Sequence, residues 1–324
     1  MRADVLRCVR GCIALTVSAL AFHPGNADAD IYACAGDSIR VFASSALGDD
    51  PPLRVISGSA TGISECYGVA LDVLHGEIWV AHGAVSVFRS TANGNVAPLR
   101  RIDTTAGFAG SVAVDVAAGE VTVSTTGGLL LTFPRTASGN ATPSRTLQIG
   151  QSVAVASAIF VDRIHEEILV TPYPAGNEFF AFARLQTGPA APLRPPIAMP
   201  MSALRALFVD RDTDVVYVSG SSGIMAVQRT GGPFSQMIPS SGLNAPWGMT
   251  LTPDRLLLAD QSADPSAPDP IHIHSPAGQG FIGTIRNGAP PGRQLFGITA
   301  TAARHCAAGN TVDDCLFRDG VEGG

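Results

Sequence analysis

The sequence predicts an all-β chain folded as a six-bladed β-propeller, with four antiparallel strands in each blade. Three observations predict it. An apolar strand ending in Asp or Thr recurs at 69–72, 112–115, 159–162, 207–210, 249–252 and 298–301, with successive ends 43, 47, 48, 42 and 49 residues apart, a period that suits four short strands per unit. Within the repeat, Phe42, Phe88, Phe133 and Phe182 are each followed six residues later by Gly48, Gly94, Gly139 and Gly188, and four further on by Pro52, Pro98, Pro143 and Pro192. Finally, three orphan strands open the chain and one orphan strand ends it, which together make one complete blade.

Taken in chain order, residues 1–29 read as a secretory signal peptide. Arg2, Arg7 and Arg10 give a basic start, 12–22 an apolar stretch and Ala27-Asp28-Ala29 a small-x-small cleavage site. The apolar run is about half the roughly 20 residues a membrane span needs, and Pro24-Gly25 follow it. From Asp30 the chain supplies a second strand at 31–33, a third at 39–42 and a fourth at 53–56. Complete repeats follow, with second strands at 78–80, 121–123, 168–170, 216–218 and 256–258 that are apolar on both faces, as a sheet between two neighbours requires. Gly provides the positive φ of the turn between third and fourth strands, and Pro begins an outer strand where its missing donor faces solvent. The last first-type strand, at 295–301, has no partners after it. Pairing it with the amino-terminal three closes the ring and leaves no blade edge open. The propeller is therefore expected over 30–301, with a tail at 302–324 outside it.

Composition narrows the function. All 21 basic residues are Arg, against 27 Asp and Glu, giving a net charge of -6, and without the leader the balance is 18 to 25. No polybasic segment exists to hold nucleic acid or an anionic membrane surface. Four cysteines remain after the leader, Cys34, Cys66, Cys306 and Cys315, without CxxC spacing. In an exported chain they read as disulfides. Cys34 ends a second strand and Cys66 leads into the next first strand, on the same ring face, so Cys34–Cys66 with Cys306–Cys315 is the preferred pairing. Cys34–Cys306 is the rival.

Stretches such as YGVALDVLHGEIWVAHGAVSVF and VFRSTANGNVAPLRRI resemble the NHL-type propeller repeat of secreted bacterial proteins, in the superfamily of SMP-30-like lactonases. The resemblance covers roughly 31–301, clear in the first four repeats and degraded in the last two, where Trp247-Gly248 returns without the Phe or Pro-Leu-Arg. It implies a fold shared by lactonases, lyases and binding scaffolds alike. The ending DDCLFRDGVEGG is similar to a short terminal tag on some exported Gram-negative proteins.

Propeller ligands meet the loops leading into the innermost strands and those joining second to third strands. There the candidate ligand-binding residues are Glu65, His82, Arg205, Trp247 and Asp260, carried on different blades. A lactonase-type hydrolase would need several oxygens on one hard divalent ion, and only Glu65 and Asp260 offer them. No cofactor is expected, apart from the structural or catalytic divalent cation that this alternative requires. No catalytic residue is assigned, since GxSxG and phosphate-binding glycine patterns do not occur. Asp72, Asp115, Asp162 and Asp210 repeat, which fits an Asx hydrogen bond in every turn. His272 and His274 project from one strand face, with His274 in the place of the repeated Phe, and read as packed residues. The Pro-rich loop 262–270 brings Asp264 and Asp269 near Asp260 and reads as a solvated loop. The expectation is a secreted or periplasmic binding or scaffold module, monomeric, presenting one ring face to a protein, glycan or small molecule. The alternative is the lactonase-like hydrolase at the mouth of the central channel.

Overall fold

A computed structural model describes residues 30–301 apart from 105, 106, 108, 151, 175, 212, 222, 240, 241, 253 and 277–279. The leader, the tail, Cys306 and Cys315 lie outside the described residues. Six sheets form the ring. Blade one comprises Gly68–Asp72, Glu77–Ala81, Val85–Arg89 and Arg100–Ile102. Blade two comprises Ala109–Asp115, Glu120–Thr125, Leu129–Pro134 and Arg145–Gln148. Blade three comprises Ala156–Asp162, Glu167–Pro172, Glu178–Ala183 and a two-residue outer strand, Ile197–Ala198. Blade four runs from Leu207–Asp210 through Val215–Gly220 and Gly223–Gln228 to Ser235–Pro239. Blade five runs from Ala245–Leu251 through Leu256–Gln261 and Asp269–His274 to Phe281–Ala289.

The closing blade is shared by the two ends of the ring, as the strand count predicts. Leu295–Ala300 pairs antiparallel with Ile31–Ala35, placing Ile31 opposite Ala300 and Cys34 opposite Gly297. Ser38–Phe42 and Arg54–Ser57 complete it. The Cys34–Cys66 disulfide, with Cα atoms 5.3 Å apart, ties this blade to the loop leading into blade one. With Cys34 used there, the rival Cys34–Cys306 bond is excluded.

Each apolar cluster fills the gap between two adjacent blades, so the core is divided into six wedges. The repeated Phe42, Phe88, Phe133 and Phe182 are at most 1% exposed and pack against the preceding blade. Truncating any of them to Ala costs about 3–5 kcal/mol. The repeated glycines do more than turn the chain. Gly94, at φ 74°, donates to Val55 O at 2.7 Å and accepts from Ser57 N at 3.2 Å, and Gly139 does the same with Arg101 and Asp103. Gly48 bridges Ile285 and Gly188 pairs with Leu147 in the same parallel manner. Each of these turns therefore reaches the outer strand of the blade before it.

A second inter-blade tie runs through ion pairs. The Arg that follows the repeated Pro grips an acid at the start of its own blade's second strand: Arg100 on Glu77 at 2.8 and 2.7 Å, Arg145 on Glu120 at 2.7 and 2.5 Å, and Arg194 on Glu167 at 2.5 and 2.9 Å. In the closing blade Arg54 reaches Asp30 at 2.8 Å. The next blade adds a second cation to the same acid, Arg135 to Glu77 at 3.0 Å, Arg184 to Glu120 at 3.7 Å and Arg229 to Glu167 at 3.0 Å. Burial alone would raise the Glu77 carboxyl, yet the hydrogen bonds and charges of Arg100 and Arg135 hold it below its ordinary value. The hydrogen bond from Arg145 does the same for Glu120.

Candidate functional site: one mouth of the central channel

The first strands of all six blades line a central cavity of about 250 Å³. Their close approach needs glycine: a Cβ on Gly248 would stand 2.6 Å from Phe296 O of the neighbouring blade. At one mouth the residue preceding or opening each first strand projects an aromatic in three blades, Tyr67, Trp247 and Phe296, each followed by Gly. Blade four places Arg205 at this level and blade three places Ser157. The mouth is thereby lopsided, an aromatic and cationic arc facing a small polar one.

The arc is continuous. Tyr67 and Phe296 have ring centroids 5.3 Å apart, Phe296 and Trp247 meet edge to face at 5.6 Å, and Trp247 and Tyr173 lie 5.9 Å apart. Tyr173 arrives from blade three and touches blade five's Trp247 across the position of blade four. The Arg205 guanidinium carbon sits 5.2 Å from the Trp247 ring centre, a cation–π geometry. The Tyr67 hydroxyl donates to Glu65 Oε2 at 2.5 Å. Burial, and then that hydrogen bond, push the Tyr67 phenol up to about 12.

Of the residues expected from sequence, the structure brings Arg205 and Trp247 into direct contact and joins Glu65 to them through Tyr67 and Phe296. Asp260 is buried and committed: it accepts from Asn244 N and from Ala245 N at 2.7 Å, and lies 3.3 Å from His272 Nε2. His82 is buried inside blade one, with Nε2 2.8 Å from Ser86 Oγ. Desolvation, reinforced by the Arg101 charge, lowers its pKa to about 4. Asp269, at the start of its strand, accepts from Ser262 N and Leu295 N, each at 2.8 Å, which ties the base of the Pro-rich loop to the closing blade, while 263–266 are exposed as expected of a solvated loop. His274 is buried as expected, edge-on to Phe281 at 5.3 Å, but its Nε2 has no hydrogen-bond partner. Tyr173 and the role of Tyr67 escaped the sequence reading; the recurring aromatic-Gly pair was the available signal for Tyr67.

Two donors at the mouth are unmet. Arg205 Nη1 and Trp247 Nε1 are enclosed and lack any hydrogen-bond partner. Desolvation lowers the Arg205 pKa, with Asp260 opposing it from a distance, and among the described residues no carboxylate forms an ion pair with Arg205.

The opposite ends of the first strands carry the repeated Asp residues, which cap turns as expected. Asp72 accepts from His75 N, Asp115 from Ala118 N and Asp162 from Ile164 N, each at 3.0 Å. Among the described residues, the single group of three side chains able to share a metal ion is Asp162, His165 and Asp214 on that face. His165 Nδ1 is 2.8 Å from Asp162, and Asp214 already pairs with Arg229 at 2.8 Å. Among the described residues the mouth assembles no comparable oxygen set, so the geometry does not support the lactonase alternative.

No family model and no curated protein matches the chain. Among solved structures, the chain is similar to one titled crystal structure of nidogen/laminin complex, with TM-score 0.64, 12% identity, and coverage of 84% of this chain and 98% of that one. It is also similar to a functionally unknown protein from Desulfotomaculum acetoxidans DSM 771, with TM-score 0.54, 11% identity and coverage of 82% and 89%. The WD40 β-propeller domain of Doa1 aligns with TM-score 0.54, 14% identity and coverage of 80% and 79%. At these identities the likeness shows the fold, and the class is a six-bladed β-propeller, an architecture consistent with a binding or scaffold module. Among the described residues no helix is long and apolar enough to cross a membrane.

Proposed function

We propose that this chain is an exported, NHL-like β-propeller acting as a binding module, with its ligand site at the channel mouth framed by Arg205, Trp247, Phe296 and Tyr67. The observation that carries the reading is the stacked Arg205–Trp247 pair, in which Arg205 has no carboxylate partner among the described residues, set in an aromatic arc whose Tyr67, Trp247 and Phe296 line the cavity. Aromatic and Arg side chains on a rigid scaffold are the residue types that dominate binding energy, and concave sites with a few polar groups are where small ligands bind. Export is supported by the leader-like sequence at 1–29 and by the Cys34–Cys66 bond, which persists in oxidising compartments. The structure of the nidogen/laminin complex, whose fold this chain shares, makes a protein ligand a second candidate.

The two tryptophans make a direct test possible. Trp79 is 0% exposed and reports the core, whereas Trp247 stands at the mouth. A panel of monosaccharides, oligosaccharides and aromatic acids, titrated against the mature chain, is expected to change Trp247 emission saturably. Binding, followed by calorimetry because the first substitution removes the fluorophore, is expected to weaken in both Trp247→Ala and Arg205→Gln. Saturable binding unaffected by both substitutions would place the site elsewhere.

A further inference from the structure

From the same mouth we infer the ligand's chemical class: a ring-shaped molecule bearing a carboxylate, with the anion on Arg205 and the ring against the aromatic arc. This inference rests on the binding reading above. The first support is a contrast within the molecule. The partly buried belt arginines Arg100, Arg145, Arg184, Arg194 and Arg229 each have a carboxylate within 3.2 Å. Arg205, also partly buried, has none within ion-pair distance among the described residues. A desolvated cation without a counter-charge is costly, and an arriving carboxylate offsets that cost while accepting from the planar guanidinium.

The mouth's own acids do not fill this role. Glu65 is bonded to Tyr67 and Asp260 is held by the backbone N–H groups of Asn244 and Ala245. Tyr173, 45% exposed and 5.9 Å from Trp247, offers a further aromatic face, on which a flat aromatic or the C–H face of a sugar ring packs. The net charge of -6 works against indiscriminate anion adsorption, so affinity for an anion must come from a local arrangement.

The test uses the mature, oxidised chain with Trp247 emission as readout at about 0.15 M salt. The probes are glucuronate and benzoate, each paired with its neutral counterpart, glucose and benzyl alcohol. At least one acid is expected to bind about tenfold or more tighter than its neutral partner, and whichever pair shows the preference identifies a sugar or an aromatic ring. Arg205→Gln is expected to erase the preference. Arg205→Lys, which keeps the charge and loses the fork, is expected to retain part of it, and unchanged melting of both variants excludes a folding defect. Equal binding of acid and neutral compounds, or a preference surviving Arg205→Gln, overturns the anion assignment while leaving the site in place. No response to any of the four, with Trp247 emission likewise unmoved by the wider panel, overturns both.

Discussion

Replacing Glu77 with Gln tests the energetic worth of the ion-pair cluster in which Arg100 of blade one and Arg135 of blade two share one acid. The substitution preserves shape and hydrogen-bonding reach while removing one charge, so no cavity contributes. Glu77 meets Arg100 of its own blade through two bonds at 2.8 and 2.7 Å, and Arg135 of the next blade at 3.0 Å. The side chains are 9% exposed for Glu77, 16% for Arg100 and 22% for Arg135. Removing one partner of a fully buried pair costs about 3–5 kcal/mol, and residual exposure of both guanidiniums reduces this to about 2–4 kcal/mol. For a domain of this size that is a fall of about 5–10 °C in melting temperature. The assay is a thermal melt followed by circular dichroism at neutral pH, with a urea titration as a second measure. Asp103→Asn serves as reference, because the Arg101–Asp103 pair is 47% and 46% exposed and is worth less than about 1 kcal/mol. If Glu77→Gln melts no lower than Asp103→Asn, the ring is not held by these ion pairs, and the apolar wedges and turn hydrogen bonds account for blade contact.

Three further outcomes are expected. Opening the Cys34–Cys66 bond with Cys34→Ala/Cys66→Ala releases a 32-residue separation, a loss of about 3–4 kcal/mol by loop-closure entropy, measurable as a lower urea midpoint against the oxidised parent. His82 titrates in the fold near 4 against about 6.5 unfolded. The unfolded chain therefore takes up the proton first, and the His82 contribution is intact above about pH 6.5 and lost as pH falls towards 4, up to about 3 kcal/mol. His82→Asn is expected to flatten that part of the stability-pH curve, and an unchanged slope refutes it. His274→Phe restores the repeat's aromatic at a buried position with an unmet ring nitrogen and is expected to raise stability by about 0.5–2 kcal/mol; a lower melting temperature would show that the site cannot admit the larger ring.

Much of the architecture was legible because a repeat multiplies weak local signals. The spacing of Phe42, Gly48 and Pro52 means little once, but its recurrence fixes a third strand, a turn and an outer strand in four blades. The orphan strands at 31–33 and 295–301 then dictated closure. Less visible was why an Arg follows the repeated Pro. Its partner stands 23 residues back in blade one, from Arg100 to Glu77, and 25 back in blade two, from Arg145 to Glu120, so the pair leaves no short motif. The same holds for the mouth. Arg205 and Trp247 could be nominated from their place before first strands, but Tyr173 reaches Trp247 from two blades away, a neighbourhood that only the closed ring creates. Arg205 and Trp247 also lie on blades four and five, where the repeated Phe and Pro do not recur.

The shared closing blade has a consequence for biosynthesis. Ile31–Ala35 is made early, but its inner partner Leu295–Ala300 comes last, so throughout synthesis one strand flank stands ready to pair with any stray β-segment. Vectorial emergence cannot complete this protein piece by piece; the final strand works as a latch. Without that strand the flank of Ile31–Ala35 lacks its hydrogen-bonding partner.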